Sequence, residues 1–282
     1  QKLNTLNLQY YMSKNNKRIY LFLVIIFLNL LFISPSFCQN NNDSTFFSAK
    51  NIIYHSKEFF LPKFDNVECN EIINTITLTG FSFFFDKKIN TISNDKKLRS
   101  KYSDNIFKLD NYYGNAGSAI IIIGGTFIAS NILNDSKTEK ISLMLLESVL
   151  FSNIITQTLK ITIGRERPEF TDNCFHFVGP NFGNERYQSF PSGHATTAFA
   201  ISTIFANTTD NNYLKILFYS PAFITSFSRL YNNKHWFSDV ILAGLIGYYS
   251  AQKVLRINGE LQNETNLDIS FNTNGISLKL FF

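Results

Sequence analysis

Two histidines, three cations and one carboxylate in the second half of the chain have the residue types and spacing to break a phosphate ester. His235 and Asp239 stand four apart, so on a helix they lie one turn above one another on one face. The carboxylate then accepts a hydrogen bond from one ring nitrogen and leaves the lone pair of the other turned outward, which makes His235 the candidate nucleophile. In-line attack on phosphorus gives a phosphohistidine and divides hydrolysis into two easier steps. His194, placed on the leaving-group side, is the candidate acid for the departing oxygen and then the base for the incoming water. A phosphate monoester brings up to two negative charges and spreads charge over its equatorial oxygens in the transition state. Lys160, Arg167 and Arg229 supply the compensation, the two guanidinium forks binding oxygens bidentately, so the set calls for no divalent metal and no cofactor. Ser192 and Gly193 precede an apolar run of helical character, which puts their backbone N–H groups at a helix N-terminus, a natural anion site.

These residues fall in three blocks: Lys160 to Pro168, Pro191 to His194, and Ser228 to Asp239. In that order they resemble the three-part signature of the type 2 phosphatidic acid phosphatase (PAP2) superfamily, which also contains bacterial nonspecific acid phosphatases and vanadium haloperoxidases. That signature is a lysine, six residues and Arg-Pro; then Pro-Ser-Gly-His; then Ser-Arg, five residues, His, three residues and Asp, and the chain matches every defined position. The resemblance implies that His235 is the nucleophile, Asp239 its orienting partner and His194 the acid/base, with phosphate contacts from Lys160, Arg167, Ser192, Gly193 and Arg229. The surrounding words, such as Gly164-Arg165-Glu166-Arg167-Pro168 and His235-Trp236-Phe237-Ser238-Asp239, resemble the bacterial membrane branch most. Any one block would be a weak signal; three in order are a strong one.

The expected function is a metal-independent phosphatase acting on a phosphate monoester or diphosphate, most readily that of a lipid such as phosphatidic acid, undecaprenyl diphosphate or lipid A. Two alternatives use the same residues. One is a soluble periplasmic nonspecific acid phosphatase. The other is a vanadium-dependent haloperoxidase with vanadate held by His235, against which the chain's length and apolar segments count. His55 and His176 have no comparable company and read as ordinary structural residues. Arg165 reads the same way, facing headgroups or water.

The elements that must position this set are helical. Ala116 to Leu133 is uncharged, Ile141 to Leu159 carries only Glu147, and Thr196 to Thr209, Ile216 to Phe227 and Val240 to Ala251 are again free of charge. Such stretches approach the length that crosses a hydrocarbon core, with Glu147 then facing the bundle interior or a polar cavity, and they fit equally the buried helices of a soluble bundle. The fold expected is all-α, and the resemblance implies a PAP2-like bundle of about six core helices, embedded in a membrane. The implied location is a bacterial inner membrane with the active site facing the periplasm. The partners are a lipid phosphate or other phosphoester substrate and the membrane. The formal charge of +5 over 282 residues is scattered, which suits an anionic lipid surface and argues against nucleic acid. Oligomeric state is left open.

Four regions are expected. Residues 1–38 contain upstream residues and, from Met12, a signal peptide or signal anchor: Lys14, Lys17 and Arg18, an apolar run from Ile19 to Ile33, and Ser34 to Gln39. A lipobox at Cys38 fits poorly because Pro35-Ser36-Phe37 precede it. Residues 39–113 form a linker and short helices at a membrane surface, with no visible chemistry. Residues 114–257 are the catalytic core. Residues 258–282 form a tail whose apolar positions alternate on either side of Asn274-Gly275, the pattern of a β-hairpin. Cys69 and Cys174 are open to pairing in an oxidising compartment or to remaining as thiols.

Overall fold

Short polar side chains set the helix boundaries in the computed structural model, which describes residues 47, 49–61, 65–100, 103–104, 107, 113–259, 267–272 and 275–280. Helix α1 spans Ala49–Phe60. Asp65 accepts from the Glu68 N–H and starts α2, Asn66–Ser82. A 3₁₀ turn, Phe83–Phe85, leads into α3, Asp86–Ser93. Asn115 caps α4, Ala116–Leu133, through Ser118 N. Asp135 caps α5, Ser136–Ile163, through Lys137 N and Thr138 N. Helices α6, Gly193–Ala206, α7, Asn212–Tyr231, and α8, Phe237–Ile257, follow. Each of these caps satisfies backbone donors that the first helical turn would otherwise leave unpaired. The left-handed residues Asn134 (φ 50°) and Gly164 (φ 63°) end α4 and α5. The expected signal sequence, the lipobox and Asn274 lie outside the described residues.

The helical bundle expected from the sequence is what forms, with α2 and α4 to α8 as its long helices among the described residues. Helix α6 lies at its centre, with Ala195, Ala198, Ala200, Ile201 and Ile204 all buried. It has no polar face to present to water, the mark of a helix surrounded by others, and α5, α7 and α8 pack against it. The α6–α8 contact is close enough to need glycine: a Cβ on Gly247 would sit 2.3 Å from the Thr196 carbonyl oxygen and 3.0 Å from the Ala200 nitrogen. Helix α2 runs along α8 and is tied to it by ion pairs Glu68–Lys253 (2.6 Å) and Glu71–Arg256 (2.8 Å).

Glu147 is buried on α5, as expected of its place in an apolar helix, and is held by His55 Nδ1 (2.7 Å) and Asn258 Nδ2 (3.2 Å). His55 therefore has the company that sequence alone did not give it. Helix α4 is different, because its apolar side chains point outward: Ile121 and Ile132 are 75% and 74% exposed. Near the C-terminus, β1, Leu267–Asn272, pairs antiparallel with β2, Gly275–Leu280, in the register Leu267↔Leu280 to Asn272↔Gly275. No disulfide joins Cys69 to Cys174 among the described residues.

Gly247→Ala is expected to lower unfolding stability by about 1–3 kcal/mol, the usual cost of overpacking. Gly125→Ala on α4, where an added Cβ meets nothing within 4 Å, should leave stability unchanged or slightly raised. Denaturant melts of the two variants beside the parent check the contrast, and equal melts would remove the close α6–α8 approach as a constraint.

Candidate active site

The connection from α5 to α6, residues 164–192, folds back on itself and brings Arg165, Arg167, Ser189 and Ser192 to the site. It turns at Gly164, where a Cβ would lie 2.0 Å from the Gly179 carbonyl oxygen. Arg165 then pairs with Phe177 in a short antiparallel bridge, fastened by Glu166 N to His176 O (3.1 Å) and Val178 N to Gly164 O (3.0 Å). Arg167 N bonds to Arg186 O (2.9 Å), Ser189 N to Arg165 O (3.0 Å), and the Trp236 indole N–H to Glu166 O (2.9 Å). With these donors and acceptors satisfied, the loop holds its side chains against the start of α8.

His235 is buried just before α8, two residues ahead of its first helical residue, Phe237. The helix face on which it was expected to stack over Asp239 does not extend that far. Its Nδ1 lies 2.7 Å from the Ser189 carbonyl oxygen and 3.7 Å from Asp239 Oδ2. The carbonyl can only accept, so Nδ1 carries the proton and the Nε2 lone pair is left for reaction. Asp239 Oδ2 accepts from the Ser189 hydroxyl (2.5 Å) and the Trp236 backbone N–H (2.8 Å), while Oδ1 accepts from Arg165 Nη1 (2.6 Å). The carboxylate thus also closes the first turn of α8. Burial pushes the His235 imidazole well below its ordinary value of 6.5; Lys160, Arg167 and Arg229 add to this and Asp239 opposes them. A neutral imidazole is the nucleophilic form.

The cations converge on this ring. Lys160, in the last turn of α5, is buried and donates to the Gln188 carbonyl (2.6 Å), and its Cε is 3.9 Å from the position a Gly193 Cβ would take. Arg229, in the last turn of α7, is buried as well. Arg167 reaches Glu169 only at 3.9 Å, and its buried Nε meets no partner. Ser192 begins α6 without capping it, its hydroxyl buried and unmatched, and its N–H bonds to the Asp239 carbonyl (3.1 Å). Orphaned polar atoms are rare in protein interiors; two of them beside a helix N-terminus and a cluster of cations mark a place for an anion. His194 follows in the first turn of α6, half-buried, with Gly114 packed against its backbone: a Cβ there would lie 2.5 Å from the His194 carbonyl oxygen.

Four residues of the site escaped the sequence. Ser189 bonds to both His235 and Asp239. Arg165 is fully buried, not turned toward headgroups or water; its Nη1 bonds to Asp239 and to Ser238 Oγ (2.7 Å), and its Nη2 to Asp86 Oδ2 (2.7 Å). Asp86, from the stretch that carried no visible chemistry, also accepts from the Ser238 N–H (2.8 Å) and hydroxyl (2.7 Å). Ser189 stood in view three residues before Ser192; nothing local marks the other three. His176, likewise without apparent company, pairs with Glu166, which Arg186 also contacts.

A family model matches the chain across all three blocks. The match is to the PAP2 superfamily, over residues 142–262. A lipid A 1-phosphatase of Porphyromonas gingivalis is 33% identical over 106 residues, 34% of this chain and 21% of that protein. An undecaprenyl-diphosphatase of Sulfolobus acidocaldarius is 28% identical over 123 residues, 43% and 56% of the two chains. The chain thus spans from about a fifth to little more than half the length of the curated relatives it matches. The fold is shared with a transmembrane PAP2-type phosphatidylglycerolphosphate phosphatase of Bacillus subtilis, at a TM-score of 0.50 and 20% identity, covering 68% of this chain and 96% of that one. The PAP2 stretch contains all eight residues singled out from the sequence, and Arg165 and Ser189 with them. Asp86 lies before it.

Because Asp239 meets donors on both oxygens, an amide there must turn an N–H toward one of them. Asp239→Asn is therefore expected to lower kcat by about 10–100-fold, the loss usual when an outer hydrogen-bond partner of an imidazole is changed. Turnover near the parental level would remove Asp239 from the mechanism. For His235 the sign of the pH effect follows from its lowered pKa: the reactive neutral form persists below pH 6.5. Taking away a neighbouring cation raises that pKa, so in Arg167→Gln the acid limb of kcat/KM should move to higher pH. Comparing the parent and variant on one aryl phosphate cancels ionisation of the substrate, and an unmoved limb would mean that another group titrates.

Proposed function

We propose that the chain is a metal-independent phosphatase that hydrolyses a phosphate monoester or diphosphate of a lipid through a phosphohistidine on His235. The observation that carries this is the His235 ring, proton fixed on Nδ1 by the Ser189 carbonyl, in the field of Lys160, Arg167 and Arg229. Nε2 attacks phosphorus in line and the P–O bond to the leaving group breaks. His194 protonates that oxygen, then takes a proton from the water that cleaves the P–N bond. Lys160, Arg167, Arg229 and the N-terminus of α6 hold the three equatorial oxygens.

The lipid part of the proposal rests on the surface. Among the described residues two helices, Ala116–Leu133 and Ser136–Ile163, are long and apolar enough to cross a membrane. Length alone is weak support, but only 11% of the first is buried in the protein, and an apolar helix that faces outward needs an apolar solvent. A hollow of about 680 Å³ with almost wholly apolar walls, among them Phe81, Phe227, Leu230 and Tyr248, reaches Phe237 and Val240 in the first turn of α8. It would take the chains of a lipid whose phosphate lies at His235. The relatives' names add lipid A 1-phosphate and undecaprenyl diphosphate as the first substrates to try. The placement that follows is a membrane, with the active site at the periplasmic face of a bacterial inner membrane.

The test is phosphate release by detergent-purified protein from lipid A, undecaprenyl diphosphate, phosphatidic acid and a soluble aryl phosphate, with and without EDTA. Release should survive the chelator, favour a lipid, cease in His235→Ala without loss of fold, and be inhibited by vanadate. Loss of activity in EDTA, or persistence in His235→Ala, overturns the mechanism; preference for the soluble ester returns the reading to an acid phosphatase.

A further inference from the structure

Arg165 touches none of the places a phosphate would occupy, yet it is the most fully enclosed cation beside the site. All five of its N–H donors are used: Nε on the Cys174 carbonyl (3.0 Å), Nη1 on Ser238 Oγ and Asp239 Oδ1, Nη2 on Asp86 Oδ2 and again on Cys174 O (2.5 Å). The guanidinium carbon lies 4.7 Å from the centre of the Phe83 ring and 5.5 Å from that of Trp236. A planar fork gripped in this way has one orientation. Its reach toward His235 is double. The side chain fixes Asp239 Oδ1, and the backbone carbonyl takes the N–H of Ser189 (3.0 Å). Ser189 in turn accepts the His235 Nδ1 proton on its carbonyl and bonds to Asp239 through its hydroxyl.

We propose that Arg165, anchored by Asp86, is a positioning residue for the hydrolysis: it sets the Asp239 carboxylate and the Ser189 carbonyl so that the His235 ring presents Nε2 in line with phosphorus. The inference rests on the phosphatase reading above. Asp86 sits at the start of α3, and its Oδ1 takes the backbone N–H of Ser238 while its Oδ2 takes the Ser238 hydroxyl. One carboxylate from the N-terminal helices thus ties the arginine to the first turn of α8. Outer hydrogen-bond partners of this kind, where they orient imidazoles on metals, are worth about 10–100-fold in activity.

The experiment compares Asp86→Asn, Arg165→Lys and the charge-neutral pair Arg165→Met/Asp86→Leu, each alone and combined with Asp239→Asn, on an aryl phosphate below the unfolding temperature. The neutral pair leaves no lone buried charge between the two positions and guards against failure to fold. Expected is a fall in kcat of about 10–100-fold with KM unchanged within about twofold, no rescue by the lysine, and almost no further loss when Asp239 is already Asn. A second readout needs no turnover. Trp236 is the single tryptophan of the chain, so its fluorescence reports ligand binding at the site. In Asp86→Asn the Kd for inorganic phosphate should stay within about twofold, while orthovanadate, which needs the ring in line, should bind about 10–100-fold more weakly. Unchanged kcat in Asp86→Asn and in the neutral pair, losses that multiply with that of Asp239→Asn, or equal weakening of phosphate and vanadate would overturn the assignment. Parental protein that neither hydrolyses the ester nor binds phosphate would instead overturn the phosphatase reading, and this assignment with it.

Discussion

Removing the Arg165 guanidinium from water costs several kcal/mol even after the surroundings relax, and three separated parts of the chain offset that cost together. Asp86 begins α3, Asp239 lies in the first turn of α8, and Cys174 belongs to the loop after α5. They meet different needs: the two carboxylates balance the charge and leave Nε without an acceptor, whereas the Cys174 carbonyl takes Nε without balancing the charge. The aromatic rings of Phe83 and Trp236 close the remaining faces. The loop between α5 and α6, the start of α3 and the end of α8 that bears the site therefore meet at one side chain.

That dependence explains which features could be read in the sequence. The apolar helices depend on neighbours within a turn, and their uncharged runs show them. The three blocks are also local words. Arg165 is not, because its partners are 79 and 74 residues away in the chain, and a lone arginine beside a better-matched Arg167 carries no local signal. The His235–Asp239 geometry was misread for a different reason. An i, i+4 spacing implies a helical pair only if both residues are inside the helix, and here the helix starts at Phe237. The carboxylate that was to grip the ring closes the helix instead, and the ring is gripped by a backbone carbonyl that no spacing rule displays.

The same helix start brings further groups to one place. Ser192 donates its backbone N–H to the carbonyl of Asp239, so the N-terminal ends of α6 and α8 meet, while Lys160 and Arg229 come from the last turns of α5 and α7. Helices that alternate in direction present N- and C-termini at the same end of a bundle. The positive ends of α6 and α8 favour the anion, and long basic side chains at the ends of α5 and α7 reach across to it. The packing that permits this is tight along α8, where Gly247 passes the backbone of α6 with no room for a methyl group.

Charge accounting then indicates what the site is built to hold. Lys160, Arg165, Arg167 and Arg229 face the carboxylates of Asp86 and Asp239, and His235 is neutral. Four cations thus face two buried carboxylates, with Glu169 and Glu185 acting on them from the exposed surface. Arg165 is fully used by the two carboxylates, so the excess resides on Lys160, Arg167 and Arg229, on the side where the Arg167 Nε and the Ser192 hydroxyl meet no partner. Glu169, the nearest outer carboxylate, is taken by Lys234 at 2.6 Å and approaches Arg167 only to 3.9 Å. A buried excess of positive charge is costly in the absence of a ligand, and a phosphate anion would neutralise it. A neutral imidazole adds no charge of its own, so the attack on phosphorus proposed above would proceed inside a field already matched to the group being transferred.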